Sequence, residues 1–128
     1  MAPSTDQPRL LVAEDHPDIR LLLESQLRQA GYEVIAVTDG EGAIRLARSE
    51  QPDAVILDVV MPGLDGLSVL DDLRSDPRTR DIPVILVTAN AQETQVTEGI
   101  RRGADAYVTK PFVLADLLAP LEQLLADP

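Results

Sequence analysis

The chain alternates five short apolar runs with five segments of helical spacing, and this alternation constrains its fold more than any other feature. Each run is continuously apolar, which is typical of a strand buried on both faces. Such strands belong to parallel sheets whose connecting helices cover both faces. The runs lie at residues 10–13, 34–37, 54–57, 84–87 and 106–108.

The segments between the runs repeat leucine, isoleucine and alanine at helical spacing. Pro17 suits the first turn of the first helix, and Gly31 is expected to end that helix. The fourth helix, at 91–102, has weak helix propensity, and Pro120 is expected to kink the last helix. We therefore predict an α/β fold in which a five-stranded parallel sheet is doubly wound as (βα)5, in the flavodoxin-like order 2-1-3-4-5.

The length and the net charge of the chain exclude several classes of function. The 128 residues suffice for one domain with a buried core, which we place at 9–126, after a flexible tail at 1–8 and before a short end at 127–128. A formal net charge of −11 argues against direct binding of nucleic acid or of an anionic membrane. Cysteine is absent, no apolar stretch reaches the roughly 18 residues of a membrane span, and residues 1–8 lack a signal-peptide pattern. We expect a cytoplasmic protein.

Polar residues stand where four of the predicted strands end. Glu14 and Asp15 follow the first strand, Asp58 the third, Thr88 the fourth and Lys110 the fifth. The carboxyl ends of parallel strands share one edge of the sheet, and ligands bind at that edge. We therefore expect three carboxylates, a hydroxyl and an ammonium to meet there.

Lys110 is the only lysine, against ten arginines. An ammonium is a compact point charge, whereas a guanidinium is a planar fork. A chain that uses arginine everywhere else therefore indicates a specific need for an ammonium at this position.

The residue types favour phosphoryl chemistry. Clustered carboxylates repel one another and favour a hard cation such as Mg²⁺, and an aspartate facing that metal can accept a phosphoryl group. Lys110 would neutralise the transferring oxygens, while the Thr88 hydroxyl and a backbone N–H near Ala89 would bind the others. His16 is the only histidine, and we interpret it as a surface or capping residue rather than a base.

Over residues 9–125 the chain resembles the receiver domain of bacterial two-component response regulators. The resemblance lies in residues 11–15 (LVAED), 55–63 (VILDVVMPG), 65–66 (DG), 83–89 (PVILVTA), 103–107 (GADAY) and 109–112 (TKPF). It implies that Asp58 accepts a phosphoryl group from a histidine kinase or a phosphotransfer protein. It also implies a signalling module that catalyses only its own phosphorylation and dephosphorylation, and is not otherwise an enzyme.

The resemblance implies a metal site as well. Glu14, Asp15, Asp58 and the backbone carbonyl of Val60 would hold Mg²⁺, with Mn²⁺ as a substitute. Lys110 would contact the phosphoryl group, and its peptide bond to Pro111 would be cis.

The implied switch involves Thr88 and Tyr107, whose movement would alter the face made by the fourth helix, the fifth strand and the fifth helix. Residues 113–128 contain no lysine or arginine. If two copies paired through this face by ion pairs, the last helix could not supply the basic residues. The downstream target is either an unknown protein or an output domain missing from this sequence.

Two alternatives stay open. A Mg²⁺-dependent phosphohydrolase could also use an aspartyl phosphate, but the common family of that type has two aspartates two positions apart after its first strand. Here that strand is followed by Glu14 and Asp15. A degenerate receiver that only binds proteins is the third possibility, and the intact set of acidic residues argues against it.

Overall fold

The structure is a computed structural model that describes residues 7–89 and 93–126. In this part of the chain, five strands alternate with five helices. The strands are β1 (Arg9–Ala13), β2 (Glu33–Val37), β3 (Ala54–Asp58), β4 (Val84–Thr88) and β5 (Ala106–Thr109). The helices are α1 (Pro17–Gln29), α2 (Gly40–Glu50), α3 (Gly66–Ser75), α4 (Glu93–Arg101) and α5 (Leu114–Leu125).

The strands form one parallel sheet in the order β2-β1-β3-β4-β5. This confirms the predicted (βα)5 fold and its strand order. The order places β3 at the centre of the sheet, between β1 and β4, so the residue at the carboxyl end of β3 has neighbours on both sides.

Alternate residues of each strand enter two separate cores. Leu11, Leu57 and Leu86 pack on one face against residues of α2 and α3. Their neighbours in sequence pack on the other face against α1 and α5. Burial on both faces explains why the strands are apolar between their ends, and it confines polar residues to the first or the last position of a strand.

Side-chain caps fix where α2 and α3 begin. The Asp39 carboxylate accepts a hydrogen bond of 2.7 Å from the backbone N–H of Gly42 at the start of α2. Asp65 does the same for Ser68 at the start of α3, at 2.8 Å. These bonds satisfy amide groups that have no partner inside the helix. At the other end of α1, Gly31 has a φ of 103°, a conformation that glycine adopts readily.

Element bounds differ from the predicted ones by a few residues. β5 runs one residue further, to Thr109, and α4 begins at Glu93, while Ala91 lies outside the described residues. α5 continues through Pro120, so the predicted kink there stays a prediction. Also outside the description are residues 1–6 of the predicted tail, residues 127–128 and Asn90. Within the described part, none of the helices has the length and apolar character that crossing a membrane requires.

Candidate functional site

The sheet brings the predicted site residues to one edge. Asp58 is the last residue of β3 and Thr88 the last of β4. Glu14 directly follows β1, and Lys110 directly follows β5. Glu14, Asp58 and Thr88 are buried, at 2%, 6% and 1% exposure, although all three are polar. Burial of polar groups without partners is costly, so their surroundings must compensate for the lost water.

Lys110 provides that compensation for the two buried carboxylates. Its Nζ lies 2.8 Å from Oε1 of Glu14 and 2.9 Å from Oδ2 of Asp58. The ammonium therefore bridges residues that are 96 and 52 positions away in the chain. A guanidinium would present a wider, planar set of donors, so the geometry agrees with the unusual choice of lysine.

Each of these carboxylates uses its second oxygen to accept a backbone N–H. The N–H of Val60 donates to Oδ1 of Asp58 at 3.1 Å, and the N–H of His16 donates to Oε2 of Glu14 at 3.1 Å. Both carboxylates are thus fixed at both oxygens. The side chain of His16 makes no capping bond at the start of α1 and is exposed.

The third carboxylate, that of Asp15, is exposed at the mouth of the site. One oxygen from each of Glu14, Asp15 and Asp58 can be chosen so that all three lie within 4.8 Å of one another. Three carboxylates at this spacing, facing a single ammonium, form an oxygen-rich and anionic set that suits a hard divalent cation. The donors therefore fit Mg²⁺ by their chemistry.

The pKa values of the site follow its burial and its charges. Burial raises the pKa of Glu14, and its hydrogen bond from Lys110 only partly opposes that rise. For Lys110, burial alone would lower the pKa, but the hydrogen bonds to Glu14 and Asp58 and their negative charges outweigh it, so the pKa is raised. Lys110 therefore stays protonated at neutral pH, which its predicted contact with a phosphoryl group requires.

Arg20 holds the loop that carries the acidic pair, a role that the sequence did not reveal. Its Nη1 donates to the backbone carbonyl of Glu14 at 3.1 Å and to that of Asp15 at 3.3 Å. The only signal in the sequence is an arginine one helical turn into α1, which is common on any exposed helix.

Gly66, at the first position of α3, packs directly against the carboxyl end of β3. A β-carbon placed there would lie 2.5 Å from the carbonyl oxygen of Asp58 and 2.7 Å from Cα of Val59. The N–H of Gly66 also donates to the carbonyl of Val59 at 2.7 Å. Glycine at this point therefore lets α3 begin close enough to fix the backbone on the carboxyl side of Asp58.

Thr88 and Tyr107 lie next to each other on β4 and β5. Leu86 pairs with Tyr107 in the sheet register, and Thr88 pairs with Thr109. Burial raises the pKa of Tyr107, while a hydrogen bond with the Thr88 side chain lowers it in part. The two predicted switch residues are therefore directly connected.

The remaining predicted residues also lie at this edge. Ala89 follows Thr88 and is exposed, and Val60 is 71% exposed two residues after Asp58. The peptide bond between Lys110 and Pro111 is cis.

An apolar hollow of about 550 Å³ adjoins the acidic site. Lys110 and Ala89 form its rim on the side of the site. Its apolar wall comes from α1 and from the segment between β5 and α5, and two of the wall residues, Leu22 and Val113, are 56% and 65% exposed. The wall residues are Ile19, Leu22, Leu23, Pro111, Phe112, Val113 and Leu114.

Comparisons with known proteins agree with this geometry. The family model of the response regulator receiver domain matches residues 10–122. The chain is 43% identical over 118 residues to transcriptional regulatory protein PrrA of Mycobacterium tuberculosis, covering 92% of this chain and 50% of PrrA. It is 40% identical over 118 residues to Protein PilH of Pseudomonas aeruginosa, covering 92% of this chain and 98% of PilH. The chain thus spans about half the length of PrrA and nearly all of PilH.

Among solved structures, the chain is similar to the receiver domain of sensor histidine kinase PA1611 from Pseudomonas aeruginosa PAO1. The TM-score is 0.88 at 33% identity, and the match covers 94% of this chain and 99% of that chain. In that structure a magnesium ion is coordinated in the active site cleft.

Proposed function

This chain belongs to the response regulator receiver domain family, and we propose that it is a phosphorylation-switched signalling module whose acceptor is Asp58. The phosphoryl donor would be the phosphohistidine of a histidine kinase or of a phosphotransfer protein. The observation that carries this proposal is the central carboxylate of Asp58, which is buried yet bound by Lys110 on one oxygen and by a backbone N–H on the other.

The transfer step requires a carboxylate nucleophile. One oxygen of Asp58 attacks the phosphorus, the new O–P bond forms as the N–P bond to the donor histidine breaks, and the imidazole leaves with the electron pair and takes a proton from solvent. Lys110 lies within 2.9 Å of the acceptor carboxylate, so its ammonium can transfer its contact to a phosphoryl oxygen as charge develops there. The Thr88 hydroxyl and the N–H of Ala89 would bind the other oxygens.

Glu14, Asp15, Asp58 and the backbone carbonyl of Val60 would hold Mg²⁺, with Mn²⁺ as a substitute. When bound, the ion supplies positive charge to the transferring phosphoryl oxygens. Arg20 and two backbone amides already fix the positions of the acidic residues, so these residues would need to move little when the ion binds.

The apolar hollow beside Lys110 would be the contact surface for the donor protein. A protein that presents a phosphohistidine to Asp58 has to cover the mouth of the site, and the hollow forms one side of that mouth. Leu22 and Val113 are exposed to water here, and the donor protein would cover them with apolar side chains of its own.

Phosphorylation would be read out through Thr88 and Tyr107. As Thr88 moves toward the phosphoryl group, its hydrogen bond with Tyr107 would change, and with it the face formed by α4, β5 and α5. The partner at that face would be another protein or an output domain attached to this one. With this function, the domain would catalyse only its own phosphorylation and dephosphorylation.

The test is phosphorylation by acetyl phosphate with Mg²⁺, followed by mass spectrometry of the intact protein. We expect one phosphoryl group on the wild type and none on Asp58→Asn, which keeps the shape of the side chain. Asp18→Asn is the matched control, because Asp18 is an exposed aspartate in the first turn of α1. Equal phosphate uptake by Asp58→Asn and the wild type would refute the assignment.

A further inference from the structure

Glycine occupies an unfavourable position within α4. Gly99 lies two residues before the end of this helix, and it is buried. Glycine is the poorest helix former apart from proline, because it loses the most backbone freedom on folding. Its φ is not positive and no turn is formed there, so backbone conformation does not explain the choice.

The lack of space around position 99 explains why glycine is present there. A β-carbon at position 99 would lie 2.8 Å from Cδ1 of Leu86 and 3.3 and 3.5 Å from Cε2 and Cδ2 of Tyr107. Leu86 is fully buried in the core between β4 and the helices, so it has little room to retreat. The Tyr107 ring therefore lies close to the volume that a side chain at position 99 would fill.

The ring is also tied to the acidic site. Tyr107 hydrogen bonds with Thr88, and Thr88 ends the strand next to the one that carries Asp58. Two contacts therefore connect the packing of α4 with the site: position 99 lies against the Tyr107 ring, and the ring is hydrogen bonded to Thr88.

We propose that Gly99 is a positioning residue for the switch, whose missing side chain lets the Tyr107 ring lie beneath α4 in the unphosphorylated state. This inference rests on the proposed function, in which Tyr107 moves on phosphorylation. In the proposed switch the ring leaves this position, so a β-carbon at position 99 would disfavour only the resting position of the ring. The substitution therefore shifts the equilibrium toward the switched state before any ligand binds.

Thermodynamic reciprocity gives the measurable consequence. A substitution that weakens the resting state strengthens the binding of a ligand that prefers the switched state, by at most the same factor and by the whole of it while the resting state predominates. Beryllofluoride with Mg²⁺, an analogue of the phosphoryl group, is such a ligand. Overpacking of a core position by one methyl group corresponds to a shift of roughly five-fold or more in that affinity.

The chain makes the ring easy to observe. It has two tyrosines and no tryptophan, so in a Tyr32→Phe parent all tyrosine fluorescence comes from Tyr107. Beryllofluoride is titrated into this parent and into Gly99→Ala made in it, both with saturating Mg²⁺. We expect the emission of Gly99→Ala to lie toward the bound value before titration, and its half-saturating concentration to be lower by roughly five-fold or more.

Two further variants separate this explanation from others. Thr97→Ala raises the helix propensity of α4 at an exposed position, and it should leave the titration unchanged. Leu86→Val combined with Gly99→Ala removes the 2.8 Å contact and retains the contacts with the ring, so the shift should persist. This double variant also keeps the test available if Gly99→Ala alone folds poorly.

The outcomes are distinct. A parent that does not respond to beryllofluoride would overturn both the proposed switch and the role of Gly99. A parent that responds, with Gly99→Ala matching it in emission and affinity, would overturn the role of Gly99 alone. A shift that Thr97→Ala reproduces, or that disappears with Leu86→Val, would also overturn it, since helix stiffness or core packing would then be the cause.

Discussion

Replacing Gly66 with alanine should damage both stability and phosphorylation. The added β-carbon would lie 2.5 Å from the carbonyl oxygen of Asp58. To restore an ordinary contact distance of about 3.5 Å, the backbone of Asp58 or the start of α3 has to move by about 1 Å. Neither contact is with a flexible side chain, because both of the closest atoms belong to the backbone of residues 58 and 59.

The expected magnitude follows from that displacement. Overpacking of this kind costs about 2 kcal/mol in the free energy of unfolding. The carboxylate of Asp58, the proposed acceptor, would also be misplaced relative to Nζ of Lys110, which now lies 2.9 Å away. Because a displacement of about 1 Å in a reacting group can reduce a rate by about 100-fold, we expect phosphorylation by acetyl phosphate to slow by about 10-fold or more.

Gly63→Ala is the matched control, in the loop just before α3. Gly63 has a φ of 76°, but no atom lies within 4 Å of a β-carbon built there. Its substitution adds roughly 1 kcal/mol of backbone strain without pushing on Asp58. Urea unfolding followed by circular dichroism gives the stabilities, and the time course of phosphoprotein in intact-mass spectra gives the rates. A Gly66→Ala protein that phosphorylates at the wild-type rate, or a Gly63→Ala protein that is slowed equally, would contradict this role of Gly66.

Three other predictions concern turnover, acid stability and assembly. Exposed Val60 cannot orient a water molecule, so Val60→Asn should lose its phosphoryl group faster than the wild type in a phosphate-release assay; equal or slower loss would reject this. Hydrogen bonds from Arg78 lower the pKa of Asp76 from 3.8 to about 2. Their contribution to the stability of the folded state is therefore present above pH 3.8 and is lost as the pH falls toward 2. Between these pH values the urea midpoint should therefore fall more steeply for the wild type than for Asp76→Asn, and parallel curves would contradict it. Finally, residues 113–128 contain no lysine or arginine, so any dimer seen by sedimentation with beryllofluoride should not depend on cations of α5. A salt-sensitive dimer cross-linked between Glu122 and Arg101 would show that α4 supplies the cations instead.

The fold could be predicted because its pattern is local. Every strand is apolar apart from one residue at its first or last position, since both faces of the sheet are covered by helices, and such strands are hard to confuse with half-exposed ones. At β5 the structure differs from the predicted bounds, because Thr109 extends the strand beyond its apolar part. Hydrogen bonding with β4 decides that end, and a single sequence does not reveal it.

The site could be predicted only in part, for the same reason. Because Glu14, Asp58, Thr88 and Lys110 stand where predicted parallel strands end, they could be assigned to one edge of the sheet without any knowledge of distances. The sequence did not reveal that Lys110 bridges the two buried carboxylates, because the partners are 96 and 52 residues away. The support from Arg20 and the close packing at Gly66 and Gly99 likewise depend on contacts between separate elements.

The most direct test of the account follows the single lysine. Reductive methylation labels only Lys110 and the amino terminus, so carbon-13 methyl groups report on this ammonium alone among the side chains. The Lys110 resonance should shift when beryllofluoride and Mg²⁺ are added together, because the ammonium exchanges a carboxylate contact for one with the phosphoryl analogue. It should stay in place when the same addition is made to Asp58→Ala. A resonance that does not move in the wild type, or that moves equally in Asp58→Ala, would contradict the assignment of Asp58 and Lys110 as acceptor and phosphoryl contact.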